Sequence, residues 1–159
     1  MTAIVCVSQN WGIGRDGALL FRISADLKRF KALTVGKTVI LGRKTLDTFP
    51  GGKPLKDRRN IVLSRRELDI PGAEIAHSFE EAAALGGDDA IVIGGASVYM
   101  ALLSRCDRVY VTKVDAAPDA DSFFPDLDDN PDWRVASESE IFEENGLKFR
   151  FVDYIRNCN

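Results

Sequence analysis

Asp26 places an ionisable carboxyl on a stripe of apolar side chains. At roughly 100° per residue, Ile23, Leu27, Phe30 and Leu33 fall on one side of the helical segment 24–33, and Asp26 falls among them. Lys28, Arg29 and Lys31 are expected mostly towards the other side, and Ser24 is the expected N-cap. A bare carboxylate among apolar groups costs several kcal/mol unless polar groups meet it. Asp26 is therefore a candidate for binding a polar ligand or for proton chemistry. The competing reading is an ordinary first-turn acid that complements the helix dipole.

A second set of residues suits anions. Gly94-Gly95-Ala96-Ser97 follows the apolar run Ile91-Val92-Ile93 and precedes a helix. Glycine there lets the backbone approach a ligand, and free N–H groups at the helix start favour phosphate. Gly42-Arg43-Lys44-Thr45 repeats this after another strand and adds two cations, and Ser64-Arg65-Arg66 follows a third. Three strand ends equipped in this way fit a nucleotide whose phosphates are spread along its length. The cations suit a 2′-phosphate, where plain NAD would favour an acid. Arg58 can fork onto a carboxylate. A tight turn at the glycines and solvated charge at the arginines are the plainer alternatives.

Gly12-Ile13-Gly14-Arg15-Asp16-Gly17 spells G-x-G-x-x-G, but residues 18–23 separate it from the Ser24 helix. The dinucleotide fingerprint needs a helix opening inside the motif. A mobile lid over a pocket is the expected role, against an ordinary loop.

Composition narrows the choices. The single histidine, His77, leaves metal clusters and His-dependent nucleophilic catalysis without support, and a surface loop is its expected place. Cys6, Cys106 and Cys158 are odd in number and far apart, which points away from disulfides and zinc and towards a reducing cytoplasm. Between Lys37 and Arg66 nine basic residues face two acids, inside a chain of net charge −3. That suggests a localised anion site rather than a nucleic-acid surface, with a merely solvated basic loop as the plainer alternative. No apolar run is long enough to span a membrane, and no signal peptide is read.

The elements that must position these residues follow from the pattern. Strands are expected at 3–8, 37–41, 60–63, 74–76, 90–93 and 108–114, and helices at 24–33, 45–49, from Ser78 to Gly86-Gly87, and 97–103. Segments 133–138 and 148–155 are expected as an antiparallel pair, with Asn145-Gly146 as a hairpin signal. Alternation of strand and helix, then strands alone, predicts a mixed α/β protein. Its mostly parallel central sheet has an antiparallel C-terminal edge and helices on both faces, in one domain over 1–159. Ligands then belong at the carboxyl ends of strands.

Taken in order, these residues resemble dihydrofolate reductase. The resemblance rests on Ile13-Gly14, Asp26-Leu27 with Phe30-Lys31 and Thr34, and Val39-Ile40-Leu41-Gly42-Arg43-Lys44-Thr45. It continues through Pro54-Leu55 with Arg58, Asn60-Ile61-Val62-Leu63-Ser64, Ile93-Gly94-Gly95 with Val98-Tyr99, and Phe124-Pro125. The resemblance implies a sheet of about eight strands split by a cleft, and hydride transfer from NADPH to C6 of dihydrofolate with a proton reaching N5. Asp26 would face the pterin, supported by Thr112, with Ile4, Val5 and Ile93 near the ring. Leu27, Phe30, Phe49 and Leu55 would line an apolar channel, and Arg58 would hold the α-carboxylate of the tail. Gly42, Arg43, Leu63, Ser64 and Arg65 would surround the 2′-phosphate end of NADPH. Lys44, Thr45, Gly94, Gly95, Ala96, Ser97 and Val98 would hold its pyrophosphate, and Cys6, Ile13 and Ala18 would approach the nicotinamide. Tyr99 would lie between the two ligands. A monomer acting on a small molecule, with no metal, nucleic acid or membrane partner, completes the expectation.

One segment departs from the family pattern. Leu19-Leu20-Phe21-Arg22-Ile23-Ser24 stands where Leu-Pro-Trp-x-Leu-Pro is usual, so no indole N–H is available beside the carboxylate. Two rival readings stay open: a riboflavin-pathway pyrimidine reductase of the same fold, and a nucleotide-binding protein without catalysis. The carboxylate, the apolar channel and Arg58 favour folate.

Overall fold

The computed structural model describes residues 1–157; Cys158 lies outside the described residues. Eight strands form one continuous sheet. In chain order they are β1 (Thr2–Val7), β4 (Thr38–Gly42), β5 (Arg59–Leu63), β6 (Ala73–Ala76), β7 (Ile91–Gly94), β8 (Arg108–Val114), β10 (Trp133–Glu138) and β12 (Leu147–Arg156). Their spatial order is β10-β12-β8-β1-β7-β4-β5-β6, and β11 (Phe142–Glu144) pairs with β12 as a ninth member. Every pairing from β8 through β1, β7, β4 and β5 to β6 is parallel, and those involving β12 are antiparallel. The mostly parallel sheet with an antiparallel C-terminal edge is therefore present.

Two details differ from expectation. The Asn145-Gly146 turn, with φ of 52° and 81°, joins β11 to β12 rather than β10 to β12. The Gly12–Gly17 segment opens no helix, as expected, but it is more than a loop. It becomes β2 (Gly12–Arg15), which pairs with β3 (Ala18–Leu19) and β9 (Ser122–Phe123) in a small separate sheet. Segments this short carry too little alternation to stand out in a sequence.

Helices cover both faces. On one face α3 (Phe79–Gly86) and α4 (Ala96–Leu102) close a single cluster that runs across the whole sheet. It includes Val5, Val7, Ile40, Ile61, Val92, Val109, Val111 and Val152. The opposite face is divided. Val39, Leu41, Leu46 and Val62 form one cluster beside α2 (Arg43–Leu46), and Ile23, Val114 and Phe149 form another where α1 (Ser24–Thr34) begins.

The division has a cause in strand pairing. β1 pairs with β7 only at Thr2–Ile91 and Ala3–Val92, but stays with β8 through Val7–Lys113. Beyond Ala3 the two halves of the sheet part at their carboxyl ends, which is where open α/β sheets bind ligands. In the gap the Tyr99 hydroxyl donates a 2.6 Å hydrogen bond to the Ile4 carbonyl. It satisfies a buried acceptor where the β1–β7 ladder stops.

The start of α1 corrects the expected cap. Ile23 holds the cap position and makes no side-chain cap bond, while Ser24 is already helical. The orphan N–H groups of Ser24 and Ala25 instead donate to the Glu144 carboxylate, at 2.7 and 3.2 Å. Those bonds hold the Glu144 carboxyl below its usual range. A depressed folded-state pKa stabilises the fold above the unfolded value and is lost as pH falls through the folded one. Glu144→Gln is expected to lower the melting temperature at pH 7, with the difference closing as the carboxylate is titrated in acid; melts followed by circular dichroism across pH measure this.

Candidate active site

β1 and β8 bring the first group together. Cys6 is paired in register with Thr112, and the Thr112 hydroxyl donates to Asp26 Oδ1 at 2.6 Å across the start of α1. Asp26 is half-buried, and burial raises its pKa more than the Thr112 hydrogen bond and the Arg29 charge lower it. Its carboxyl thus keeps a proton to higher pH than an exposed aspartate. Cys6 is also pushed well up, by burial and then by the Asp26 charge, and is a poor thiolate.

Arg29 departs from the expected solvent face. Its guanidinium reaches Asp153 at 3.0 Å and sits 4.4 Å from the Phe151 ring centroid. It packs against β12, so the sheet-facing side of α1 is wider than an apolar stripe and holds two charged groups, Asp26 and Arg29.

Loop and helix position the predicted tail-binding group. Arg58 Nη1 donates to Thr34 Oγ1 at 3.0 Å, and Arg58 Nε donates to the Lys56 carbonyl at 2.8 Å. Thr34 in turn donates to the Phe30 carbonyl at 2.7 Å. Buried Asn60 accepts from the Leu55 N–H and donates to the Leu55 and Arg58 carbonyls, which fixes the turn carrying both residues. Burial lowers the Arg58 pKa, but a guanidinium stays charged at any physiological pH. Thr34 and Asn60, quoted among the residues of the resemblance but given no role there, position Arg58 and Leu55.

Phe49, Leu55 and Ile93 share one apolar cluster. Leu27 and Phe30 stand on α1 outside the apolar clusters, and Leu27 is 44% exposed. That exposure is an apolar surface a ligand can cover. The Val5 side chain packs into the opposite face, so only its backbone borders the cleft. Ile13 is buried and Ala18 exposed, both on the β2–β3 hairpin.

The β2–β3 hairpin, expected as a lid, is tied down by a loop far along the chain. Asp16 N–H donates to Asp121 Oδ2 at 2.9 Å, Asp121 N–H donates to the Gly14 carbonyl at 2.9 Å, and Arg15 meets Asp119 at 3.2 Å. At its base Trp11 stacks on Phe124, which meets the Tyr99 ring edge-on.

The carboxyl ends of β7, β4, β5 and β6 form the second half of the site. Gly42 of β4 is in register with Leu63 of β5, and Leu63 with Ala76 of β6. The next residues, Arg43, Ser64 and His77, therefore stand in a row along one edge. Arg43 pairs with Asp47, Lys44 and Arg65 are exposed, and Thr45 is half-buried. On the β7 side Gly94 has a φ of 135°, a conformation open to glycine. A Cβ on Gly95 would lie 3.2 Å from Thr45 Oγ1, closing the approach to the backbone N–H groups that open α4. Ala96 and Ser97 remain accessible there, while the Val98 side chain is buried in the core. Cationic strand ends, a glycine floor and free N–H groups fit a phosphorylated dinucleotide. His77, expected in an unremarkable loop, belongs to this row; nothing local reveals that, because the row exists only through register.

Comparison with known proteins agrees with this construction. A family model described as dihydrofolate reductase matches residues 1–156. Dihydrofolate reductase of Neisseria meningitidis serogroup B is 39% identical over 160 residues, covering 98% of this chain and 98% of that protein. That of Mycobacterium tuberculosis is 37% identical over 150 residues, covering 91% of each. The solved structure of the Enterococcus faecalis dihydrofolate reductase complexed with NADP(H) and RAB-propyl superposes with a TM-score of 0.88 at 30% identity, over 99% of this chain and 96% of that one. The fold and the sequence are thus shared along nearly the whole length, and the chain belongs to the dihydrofolate reductase family.

Proposed function

We infer that this cleft reduces 7,8-dihydrofolate to 5,6,7,8-tetrahydrofolate, with NADPH as cofactor. The observation that carries the reading is the half-buried Asp26 carboxyl, held by Thr112 where β1 and β7 part. Its two oxygens suit the paired N3 and 2-amino donors of a pterin. Leu27, Phe30, Phe49 and Leu55 take the apolar middle of the substrate, Ile4, Val5 and Ile93 border the ring, and Arg58 takes the α-carboxylate. Arg43, Ser64 and Arg65, with Gly42 and Leu63 beneath them, hold the 2′-phosphate. Lys44, Thr45 and Gly94 to Val98 hold the pyrophosphate. Cys6, Ile13 and Ala18 border the nicotinamide, and Tyr99 stands between the two ligands by way of the Ile4 carbonyl.

NADPH, when bound, supplies the hydride. The chain supplies orientation, exclusion of water and a proton. Asp26 keeps its proton to higher pH than an exposed acid, which suits a water-relayed transfer to N5 of the pterin. The β2–β3 lid, latched to Asp121, covers the cleft while this occurs.

From the spread cysteines we propose a reducing cytoplasm, and we propose a monomer with small-molecule ligands. Among the described residues no helix is long and apolar enough to cross a membrane. The test is loss of NADPH absorbance on adding dihydrofolate, repeated with NADH. Oxidation above the blank with NADPH, and a clear preference for it over NADH, is expected. No oxidation with dihydrofolate would favour the pyrimidine reductase or the non-catalytic reading. Preference for NADH would remove the 2′-phosphate assignment.

A further inference from the structure

We propose that Arg29 is a positioning residue for the reduction: its guanidinium, held over Phe151 by Asp153, sets the pH up to which Asp26 can supply a proton. The proposal rests on the role of Asp26 given above. It starts from register. Thr112 of β8 lies directly opposite Phe151 of β12, and Tyr110 opposite Asp153. Residues two apart on a strand share a face, as do cross-strand partners. Their neighbours Val109, Val111, Val152 and Tyr154 fill the core on the other side, so these four face α1. Asp26 and Arg29 are three residues apart on α1 and are neighbours on its surface. Each reaches one half of a cross-strand pair: Asp26 takes the Thr112 hydroxyl, and Arg29 sits over the Phe151 ring. A fixed positive charge therefore stands one to two strand spacings, roughly 5–10 Å, from the carboxyl.

The guanidinium is held in place. Arg29 Nη2 donates to Asp153 Oδ1 at 3.0 Å, and the group also lies 5.5 Å from the Tyr110 ring centroid. The two side chains of this ion pair are 24% and 17% exposed, so water screens them less than a solvated pair. Arg108 of β8 approaches the other Asp153 oxygen at 3.8 Å. Cys6 of β1 and Tyr99 of α4 also feel the Asp26 charge, and burial keeps both neutral. Glu144 of β11 is occupied by the Ser24 and Ala25 N–H groups and offset by Lys28. Arg29 is thus the cation that favours the ionised form of Asp26, against burial, which favours the protonated form. The balance of the two decides where the acid stops holding its proton.

The test is the pH dependence of single-turnover hydride transfer from NADPH to dihydrofolate, in the wild type and three variants. The rate falls as pH rises through the midpoint at which Asp26 loses its proton. Arg29→Met keeps an apolar stem without the charge, and its midpoint is expected to rise by about half to one pH unit, the effect of one partly screened charge at this separation. Well above the midpoint it then keeps about three- to tenfold more of its own low-pH rate than the wild type does. A merely damaged fold gives no such gain. Arg29→Lys restores the charge, and its midpoint should lie closer to the wild type than to Arg29→Met. Asp153→Asn leaves the guanidinium uncancelled and should lower the midpoint; it also serves if Arg29→Met fails to fold. A second readout needs no turnover. The carbon-13 resonance of the Asp26 carboxyl, in aspartate-labelled protein and assigned with Asp26→Asn, should titrate in the same order across the set. If Arg29→Met and Asp153→Asn keep the wild-type midpoint, or move it in the same direction, the proposal is overturned. Carboxyl midpoints in the expected order with no reduction of dihydrofolate would leave the coupling of Arg29 to Asp26 standing and remove the reading of the reaction, so the two failures are told apart.

Discussion

Replacing Asp26 by Asn is expected to lower kcat at pH 7 by about 10²- to 10⁴-fold, the range over which positioned acid–base groups act. The change is nearly isosteric, and the new amide oxygen can accept the Thr112 hydroxyl as Oδ1 does now. What disappears is the ability to hold and relay a proton. The residual rate should climb as pH falls, because N5 must then take its proton from bulk acid. Stability should move the other way. Burial raises the Asp26 pKa in the folded state, so the ionised form is less favourable there than in the unfolded chain. Stability linked to this carboxyl is fully present below the unfolded pKa and is lost as pH rises through the folded one. The asparagine variant should therefore melt at a higher temperature than wild type at pH 7, with the gap closing in acid. Stopped-flow rates and melts across pH measure both. Full kcat in the variant at neutral pH would leave Asp26 with only a structural role.

Arg58→Leu is expected to raise the KM for dihydrofolate by about 10- to 100-fold with little change in kcat. Charge-assisted hydrogen bonds to a carboxylate contribute about 1.5–3 kcal/mol, and on the proposed reading Arg58 meets the tail of the substrate rather than the reacting ring, so it would bind ground and transition states alike. The guanidinium is already oriented by Thr34 and the Lys56 carbonyl, so little freedom remains to be lost on binding. The control is a reduced pterin that lacks the glutamate tail. Its KM should be the same in both proteins. If that KM rises equally, Arg58 acts by holding the loop against α1 rather than by meeting the substrate.

Much of the site could be read from local pattern. The placement of Asp26 on an apolar stripe, the glycines after Ile93 and the cations after Leu41 and Leu63 all depend on residues close in sequence. Strand ends were expected within a residue or so, because apolar β-branched runs stop where glycine or polar residues begin. The failures share one character. Ser24 is not the cap because a carboxylate 120 residues away reaches its N–H. Arg29 turns to the sheet because Asp153 and Phe151 wait there. His77 looked ordinary because its neighbour Ser64 is adjacent only through the β5–β6 register. The short strands of the lid form because Ser122 and Phe123 supply partners for Gly12 and Gly14.

By itself the sequence outlined the eight strands of the main sheet and the four helices, and it singled out Asp26 and the strand ends that carry glycine or cations. These are properties of side-chain order over a few residues, where periodicity and backbone preference dominate. Only the tertiary structure decided where the sheet opens and which donors surround the acid. It also decided which charged groups are spent on the scaffold and which remain for ligands. The reason is that hydrogen-bond registers and charge pairings join residues from 13 to more than 100 positions apart. Each such contact depends on the whole packed arrangement rather than on its own stretch of chain.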